Sequence, residues 1–266
     1  MRLTPRARRR SRPLPADDQP VVELVDVRKR FDGKEVLRGV SLSVQRGETM
    51  VIMGGSGSGK TVTLRVIAGL IKPTSGIVRV FGERIDTLSE EQLLPIRRHM
   101  GYVFQGAALF DSLTVHENVA YPLREHTSLG EAEIRERVLH FLSVVGLDAE
   151  VLDLLPSELS GGMRKRVGIA RALAQEPRML LFDEPTAGLD PTNSRMVADL
   201  ILQLHSGVCD TAIVVTHDLE LTRTVADRVA ILIDGRFAAL GPRDEVLASN
   251  DPAVQAFLAG EAKVTT

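Results

Sequence analysis

The segment "GGSGSGKT" at 54–61 limits what this chain can fold into more than any other. It fits the pattern G-x-x-x-x-G-K-[ST], in which glycines let successive backbone N–H groups converge on phosphate oxygens and a helix start adds partial positive charge. Such a loop works only between a buried strand and a helix. Both are in place. "TMVIM" at 49–53 is a continuous apolar run of strand length, and "KTVTLRVIAGL" at 60–70 has helical character. Gly54, Gly55, Ser56, Gly57, Ser58 and Gly59 then form the cradle, Lys60 is placed to bridge the β- and γ-phosphates of a nucleotide, and the Thr61 hydroxyl is placed to ligate Mg²⁺. A flexible turn is the competing reading of the same eight residues.

Two further apolar runs, "RMLLF" at 178–182 and "TAIVV" at 211–215, end in polar residues. That is the pattern of a parallel sheet whose carboxyl edge holds a ligand. In "MLLFDEP" at 179–185, Asp183 is placed to orient Mg²⁺ and Glu184 to polarise the water that attacks the γ-phosphate. His217, in "VVTHD", follows another strand and can reach the same phosphate. The plainer alternatives are two exposed carboxylates at a strand end and a structural histidine.

Around this core, the stretches 21–31, 36–44 and 77–82 alternate apolar with polar residues, as half-buried antiparallel strands do. They predict a small β layer. Residues 115–123 and 130–146 have helical periodicity without strand candidates, which predicts a helical insert over about 107–165. "VAILIDGRFAALG" reads as a hairpin turning at Asp234-Gly235, with a short helix from about 251. No repeat or low-complexity tract is visible.

With 266 residues, 44% of them hydrophobic, the chain can bury a full core as one or two domains. The net charge of −2 hides an asymmetry, since Arg2, Arg6, Arg8, Arg9, Arg10 and Arg12 make the start basic and leave the rest acidic. Pro5, Pro13 and Pro15 keep that start from a stable helix, and it lacks the apolar centre of a secretory signal or anchor. A solvated, disordered tail over 1–20 is expected, with weak attraction to anionic lipid headgroups as the alternative. No apolar run approaches the roughly 20 residues that span a bilayer. Cys209 is alone, which fits a reducing compartment and a buried, inert thiol.

A second glycine-bearing segment, "LSGGMRKRVGIARALA" at 159–174, raises a different question. Ser160 is a good N-cap for a helix whose apolar side takes in Met163, Val167, Ala170 and Ala174. Gly161 and Gly162 then leave bare N–H groups at a positive helix end, which suits an anion. The phosphates bound in the same chain are already surrounded by 54–61. The site this helix completes is therefore expected to belong to a second copy of the chain.

The ordered set of the glycine-rich loop, "FQ" at 104–105, "LSGG" at 159–162, "LLFDEP" at 180–185, "AGLD" at 187–190 and "TH" at 216–217 resembles the nucleotide-binding subunits of ABC transporters over about 21–245. The resemblance implies an α/β P-loop NTPase domain: a RecA-like parallel-sheet core, a small antiparallel β subdomain and a helical subdomain, with a C-terminal helix and tail over 246–266. It implies ATP and Mg²⁺ as cofactors and a head-to-tail dimer. Each ATP would lie between one chain's phosphate loop and the other chain's Ser160, Gly161 and Gly162. It also implies Phe31 stacked on adenine, Gln105 near Mg²⁺ and the attacking water, and Asp190 communicating across the dimer.

"GGSGSGKTVTL", with Gly55 and Val62, together with "GAALFDSLTVHENV", "YPLREHT" and "LSGGMRKRV", looks like the Mla/Mkl branch, whose ATPases serve lipid transporters that work with MCE-domain proteins. Val62 lacks a hydroxyl that many relatives place near the α-phosphate, a contact the backbone N–H at Val62 can replace. Membership implies an integral-membrane permease gripped by the segment after Gln105, an MCE-domain protein, a small STAS-domain accessory protein in some relatives, and a peripheral position on the cytoplasmic face of the inner membrane. An ordinary surface helix pair is the alternative for 107–127. Two other functions stay open: a subunit serving amino acids, ions or lipoproteins, and a soluble ABC ATPase acting on DNA or ribosomes. The second is disfavoured by the single cassette and single Cys, so no nucleic-acid partner is expected.

Overall fold

The structure is a computed structural model that describes residues 19–260. The basic tail expected over 1–20 falls almost wholly outside the described residues, as does the end of the chain after 260.

β1 (Val22–Phe31) and β2 (Lys34–Val44) form a hairpin through Asp32-Gly33, both at positive φ. β4 (Ser75–Val80) joins the other edge of β1 and β5 (Glu83–Arg84) pairs with β4, giving an antiparallel sheet in the order β2-β1-β4-β5. Between β2 and β4 the chain passes through β3 (Thr49–Met53) and α1 (Lys60–Ile67). The predicted helix over 60–70 ends early, because Gly69 adopts φ 67 and turns the chain away.

The second sheet has six strands in the order β10-β9-β3-β8-β7-β6. Its members are β6 (Met100–Val103), β7 (Met179–Asp183), β8 (Ala212–Thr216), β9 (Arg228–Ile233) and β10 (Arg236–Pro242), together with β3. Strands β9, β3, β8, β7 and β6 are parallel, and β10 returns antiparallel through Asp234-Gly235. Two strands correct the sequence reading. Four-residue β6 follows directly on α2 (Glu90–Arg97) and is too short to show a period. β9 is more than half of a terminal hairpin, because its other edge pairs in parallel with β3.

All five residues of β3 are buried, because both faces of the large sheet are covered. Met50 and Ile52, with Leu181, Ile213 and Val215, face a core shared with the antiparallel sheet and with Leu64, Val66 and Ile67 of α1. Val51 and Met53, with Leu180, Phe182 and Val214, face a second core built on helices. That layer includes α3 (Val115–His126) and α4 (Glu131–Val144), which contribute Val119, Leu123, Val138 and Phe141. Thr114 and Glu117 close a capping box at the start of α3. α5 (Gly161–Leu173) packs on α3 and α4 and also on β6. α6 (Pro191–Gly207) and α7 (Leu219–Val225) complete the layer, and α8 (Arg243–Leu247) and α9 (Pro252–Leu258) close the described chain.

Candidate functional site

β3 runs into Gly54, β7 ends at Asp183 just before Glu184, and β8 ends at Thr216 just before His217. The three strands are neighbours in the sheet, so their ends meet at its carboxyl edge. The loop 54–59 needs its glycines for identifiable reasons. A Cβ on Gly54 would lie 2.5 Å from both the Leu232 carbonyl and Ser58 Oγ. Gly57 and Gly59 take φ 76 and 107. Gly55 is half-buried and Ser56 exposed. Ser58 Oγ is buried without a hydrogen-bond partner among the described residues, an unsatisfied polar atom inside a loop whose pattern is built for phosphate.

Lys60, only 7% exposed, curls back over this loop. Its ammonium donates to the carbonyls of Gly54 at 2.8 Å and Gly55 at 3.0 Å and lies 3.2 Å from Glu184 Oε1. The other Glu184 oxygen is 2.9 Å from His217 Nδ1 and accepts from the Thr216 hydroxyl at 3.3 Å and the His217 amide at 3.4 Å. Glu184 also has φ 48, a left-handed backbone that costs a side-chain-bearing residue about 1 kcal/mol. Its amide donates to Val215 O at 2.9 Å and its carbonyl accepts from Lys165 Nζ at 3.2 Å, which pins the turn.

Asp183 is held on both oxygens. Thr61 Oγ1 donates to Oδ1 at 2.8 Å, and the Tyr102 hydroxyl donates to Oδ2 at 3.1 Å. Burial and the adjacent Asp183 carboxylate push the Tyr102 phenol far above its ordinary pKa, so it remains a donor. Among the described residues no three His, Cys, Asp or Glu side chains are grouped as a metal cluster. The Thr61 hydroxyl and the Asp183 carboxylate are hard oxygen donors side by side next to a phosphate loop, and this suits Mg²⁺, which takes few protein ligands and completes its shell with phosphate and water.

Lys60, Glu184 and His217 are thus joined by direct contacts, and their chain neighbours Thr61 and Asp183 are joined to each other. Gln105 is exposed and tied to the group through its backbone, its carbonyl accepting from Lys165 Nζ. Val62 is half-buried and packs on the core beneath the antiparallel sheet. Phe31, at the end of β1, is 40% exposed with Lys29 Nζ 4.7 Å from its ring centroid.

Ser160 caps α5 by accepting from the Met163 amide at 3.2 Å, and Asp190 caps α6 by accepting from the Asn193 amide at 3.0 Å. Ser160, Gly161 and Asp190 are exposed and make no hydrogen bond to the Lys60–Glu184 group among the described residues. The buried side chains of α1 and α5 belong to different cores, on opposite faces of the large sheet.

One detail corrects the sequence reading of this segment, and another adds to it. Gly162 is buried beside Asn193: a Cβ there would come 2.4 Å from Asn193 Oδ1, and Asn193 in turn bonds to Asp190. Lys165 lies within a segment that reads as amphipathic and basic, yet it is buried, and burial lowers its pKa. Neither Lys165 nor Tyr102 stands out in the sequence. The available signal for Tyr102 was its phenol within a short strand, two residues before Phe104-Gln105.

The ABC transporter family matches residues 37–187, from within β2 to just beyond Glu184. The chain belongs to the ABC transporter family. Over 239 residues this ABC ATPase domain is 39% identical to the probable ribonucleotide transport ATP-binding protein mkl of Mycobacterium tuberculosis, covering 90% of the chain and 66% of that protein. Over 245 residues it is 40% identical to the methionine import ATP-binding protein MetN of Brucella abortus, covering 92% and 66%. The chain spans just under two thirds of the length of these two relatives.

Among solved structures, a dimeric ATP-binding cassette in a post-hydrolysis state bound to ADP and Pi matches the ABC domain with a TM-score of 0.78 and 35% identity, over 84% of this chain and 98% of that one. cbiO1 of Clostridium perfringens, part of the ABC transporter complex cbiONQ, matches with a TM-score of 0.79 and 31% identity over 91% and 96%. Among the described residues of the ABC domain, no helix is long and apolar enough to cross a membrane.

Proposed function

We propose that this chain is the ATP-binding and ATP-hydrolysing subunit of an ABC transporter, working as a head-to-tail pair beneath an integral-membrane permease on the cytoplasmic face of the inner membrane. The observation that carries this reading is Glu184, a buried carboxylate shared between Lys60 of the phosphate loop and His217 of the neighbouring strand. Incoming β- and γ-phosphates compete for Lys60, and its transfer to them frees one Glu184 oxygen to polarise a water. His217 and Thr216 hold the other oxygen and fix its orientation. Thr61 and Asp183 would hold Mg²⁺, which supplies positive charge against the phosphates. Gln105 senses the same site from the loop after β6, and Phe31 offers an exposed ring for adenine.

The second half of each site comes from the partner's Ser160, Gly161 and Gly162, with Asp190 beside them. The exposure of Ser160 and Gly161, which make no hydrogen bond to the chain's own Lys60–Glu184 group among the described residues, supports this. It is tested with mixed dimers. One pairs wild type with a chain carrying both Lys60→Ala and Ser160→Arg, and the other splits those lesions between the two chains. A site shared between chains leaves one intact ATP-trapping site only in the split dimer. Tighter ATP trapping in the double-lesion dimer would overturn the reading.

For the transported substrate, we favour lipid moved with an MCE-domain protein and a small STAS-domain accessory protein. Support comes from the likeness of the residues around Gly55, Val62 and 106–119 to the Mla/Mkl branch; the mkl protein, 39% identical, is itself named for ribonucleotide transport. The 40% identity to a methionine import subunit supports a second reading, an amino-acid importer. Phospholipid and methionine tested as stimulants of the reconstituted transporter's ATPase separate the two. We assign the permease contact to Phe110 and Tyr121; both are 44% exposed with ring centroids 5.0 Å apart, which supports the assignment.

A further inference from the structure

Ala107 and Ala108 are consecutive residues in the left-handed region, with φ 62 and 49. Each costs about 1 kcal/mol relative to relaxed backbone. They follow Gln105 by two and three positions and precede Phe110, so the strain sits between the nucleotide site and the aromatic pair. It persists only if something holds it.

One face of α5 does so. Lys165, Gly168 and Arg171 recur every three residues and line that face. Lys165 Nζ donates to the Gln105 carbonyl, and Arg171 donates from Nη1 to the Ala108 carbonyl at 2.8 Å and from Nη2 to the Ala107 carbonyl at 3.0 Å. Gly168 lets the two backbones close up, since a Cβ there would stand 3.1 Å from the Ala107 Cβ and 3.2 Å from its carbonyl oxygen. Lys165 reaches one step further, to the carbonyl of Glu184, itself in the left-handed region. Four backbone carbonyls from two separate segments therefore depend on two cations of a single helix. That helix begins at Ser160, about 7.5 Å along its axis from Lys165.

We propose that Lys165 and Arg171 are positioning residues, a clamp through which α5 sets the backbone of 105–108 and of Glu184, so that movement at the Ser160 end of the helix is transmitted to the chain's own site and to Phe110. This rests on the proposed contact of Ser160 with a partner's ATP. The strained loop has a held form and a released form, and the clamp selects between them.

The test uses the full chain in a Glu184→Gln background with ATP and Mg²⁺, reading dimer formation by light scattering and amide exchange in the peptide covering 105–110. In the reference chain ATP should give a dimer and slow exchange in that peptide by about fivefold or more. Lys165→Met should still dimerise, but with an ATP response in the peptide below about twofold. Adding Ala107→Gly should restore the response, because glycine adopts the held backbone without strain. Lys165→Gln keeps a neutral, shorter-reaching donor group and should fall between, which covers the case of a poorly folding Lys165→Met.

A full response in Lys165→Met, or a loss that Ala107→Gly leaves untouched, overturns the clamp. Absence of any ATP-dependent dimer in the reference chain is a separate result: it removes the shared-site reading first, and this inference with it.

Discussion

Tyr102 and Asp183 are joined across adjacent strands, phenol to carboxylate, at 3.1 Å. With Thr61 on the other oxygen, this bond fixes the plane of the carboxylate that faces the phosphate loop. Tyr102→Phe removes a part-buried hydrogen bond to a charged group, about 1.5–3 kcal/mol. Nucleotide affinity without Mg²⁺ should be unchanged, while the gain on adding Mg²⁺ should fall about tenfold. Titration with a fluorescent ATP analogue, with and without the metal, reads both. An equal loss in the two conditions would show that the phenol supports the fold and not the carboxylate.

Glu184→Gln keeps the shape of the group but removes the charge that a water proton needs. Hydrolysis should drop by about 10²-fold or more with ATP binding retained. A long-lived ATP-bound dimer should accumulate on size exclusion. Wild-type turnover in this variant would remove Glu184 from the role of base.

Gly162→Ala places a methyl 2.4 Å from Asn193 Oδ1 and should cost about 1–3 kcal/mol, lowering Tm by several degrees. Gly161→Ala meets nothing closer than 3.7 Å and should shift Tm by less than about 2 °C. Combining Gly162→Ala with Asn193→Ala should recover part of the loss. Equal effects at the two glycines would contradict the packing account.

Burial pushes the Cys209 thiol up to about 11, above an unfolded value near 8.5. At pH 8 the folded chain therefore holds about a thousandth of this thiol as thiolate. Reaction with a thiol-specific disulfide reagent should be at least about 100-fold slower than in denaturant. The sign for stability follows from the raised value: the buried neutral thiol contributes fully below about pH 8.5, and that contribution is lost as pH rises toward 11.

What was legible in the sequence was local. The glycine pattern at 54–61, the apolar runs of β3, β7 and β8, the Ser160 cap and the Asp234-Gly235 turn all show within a few residues of themselves. Parallel pairing of β9 with β3 depends on residues far apart in the chain, and β6 is too brief for any period to appear. Lys165 illustrates the same limit in the site. A lysine between arginines reads as solvated, yet its ammonium is buried by carbonyls 60 and 19 positions away. Which glycine of "LSGG" meets a neighbour is likewise decided by Asn193, a residue from another helix.

The side chains of β3 point alternately into two separate cores, Met50 and Ile52 to one and Val51 and Met53 to the other. The strand, like β7 and β8 beside it, is thus a party wall between the two layers. Loosening either layer disturbs the five residues that lead into Gly54, so neither can soften while the phosphate loop keeps its place. A slip of one residue in β3 would turn all of these side chains into the wrong layer at once. Substitutions far from the nucleotide, on either side of this wall, therefore reach the loop by the same short route.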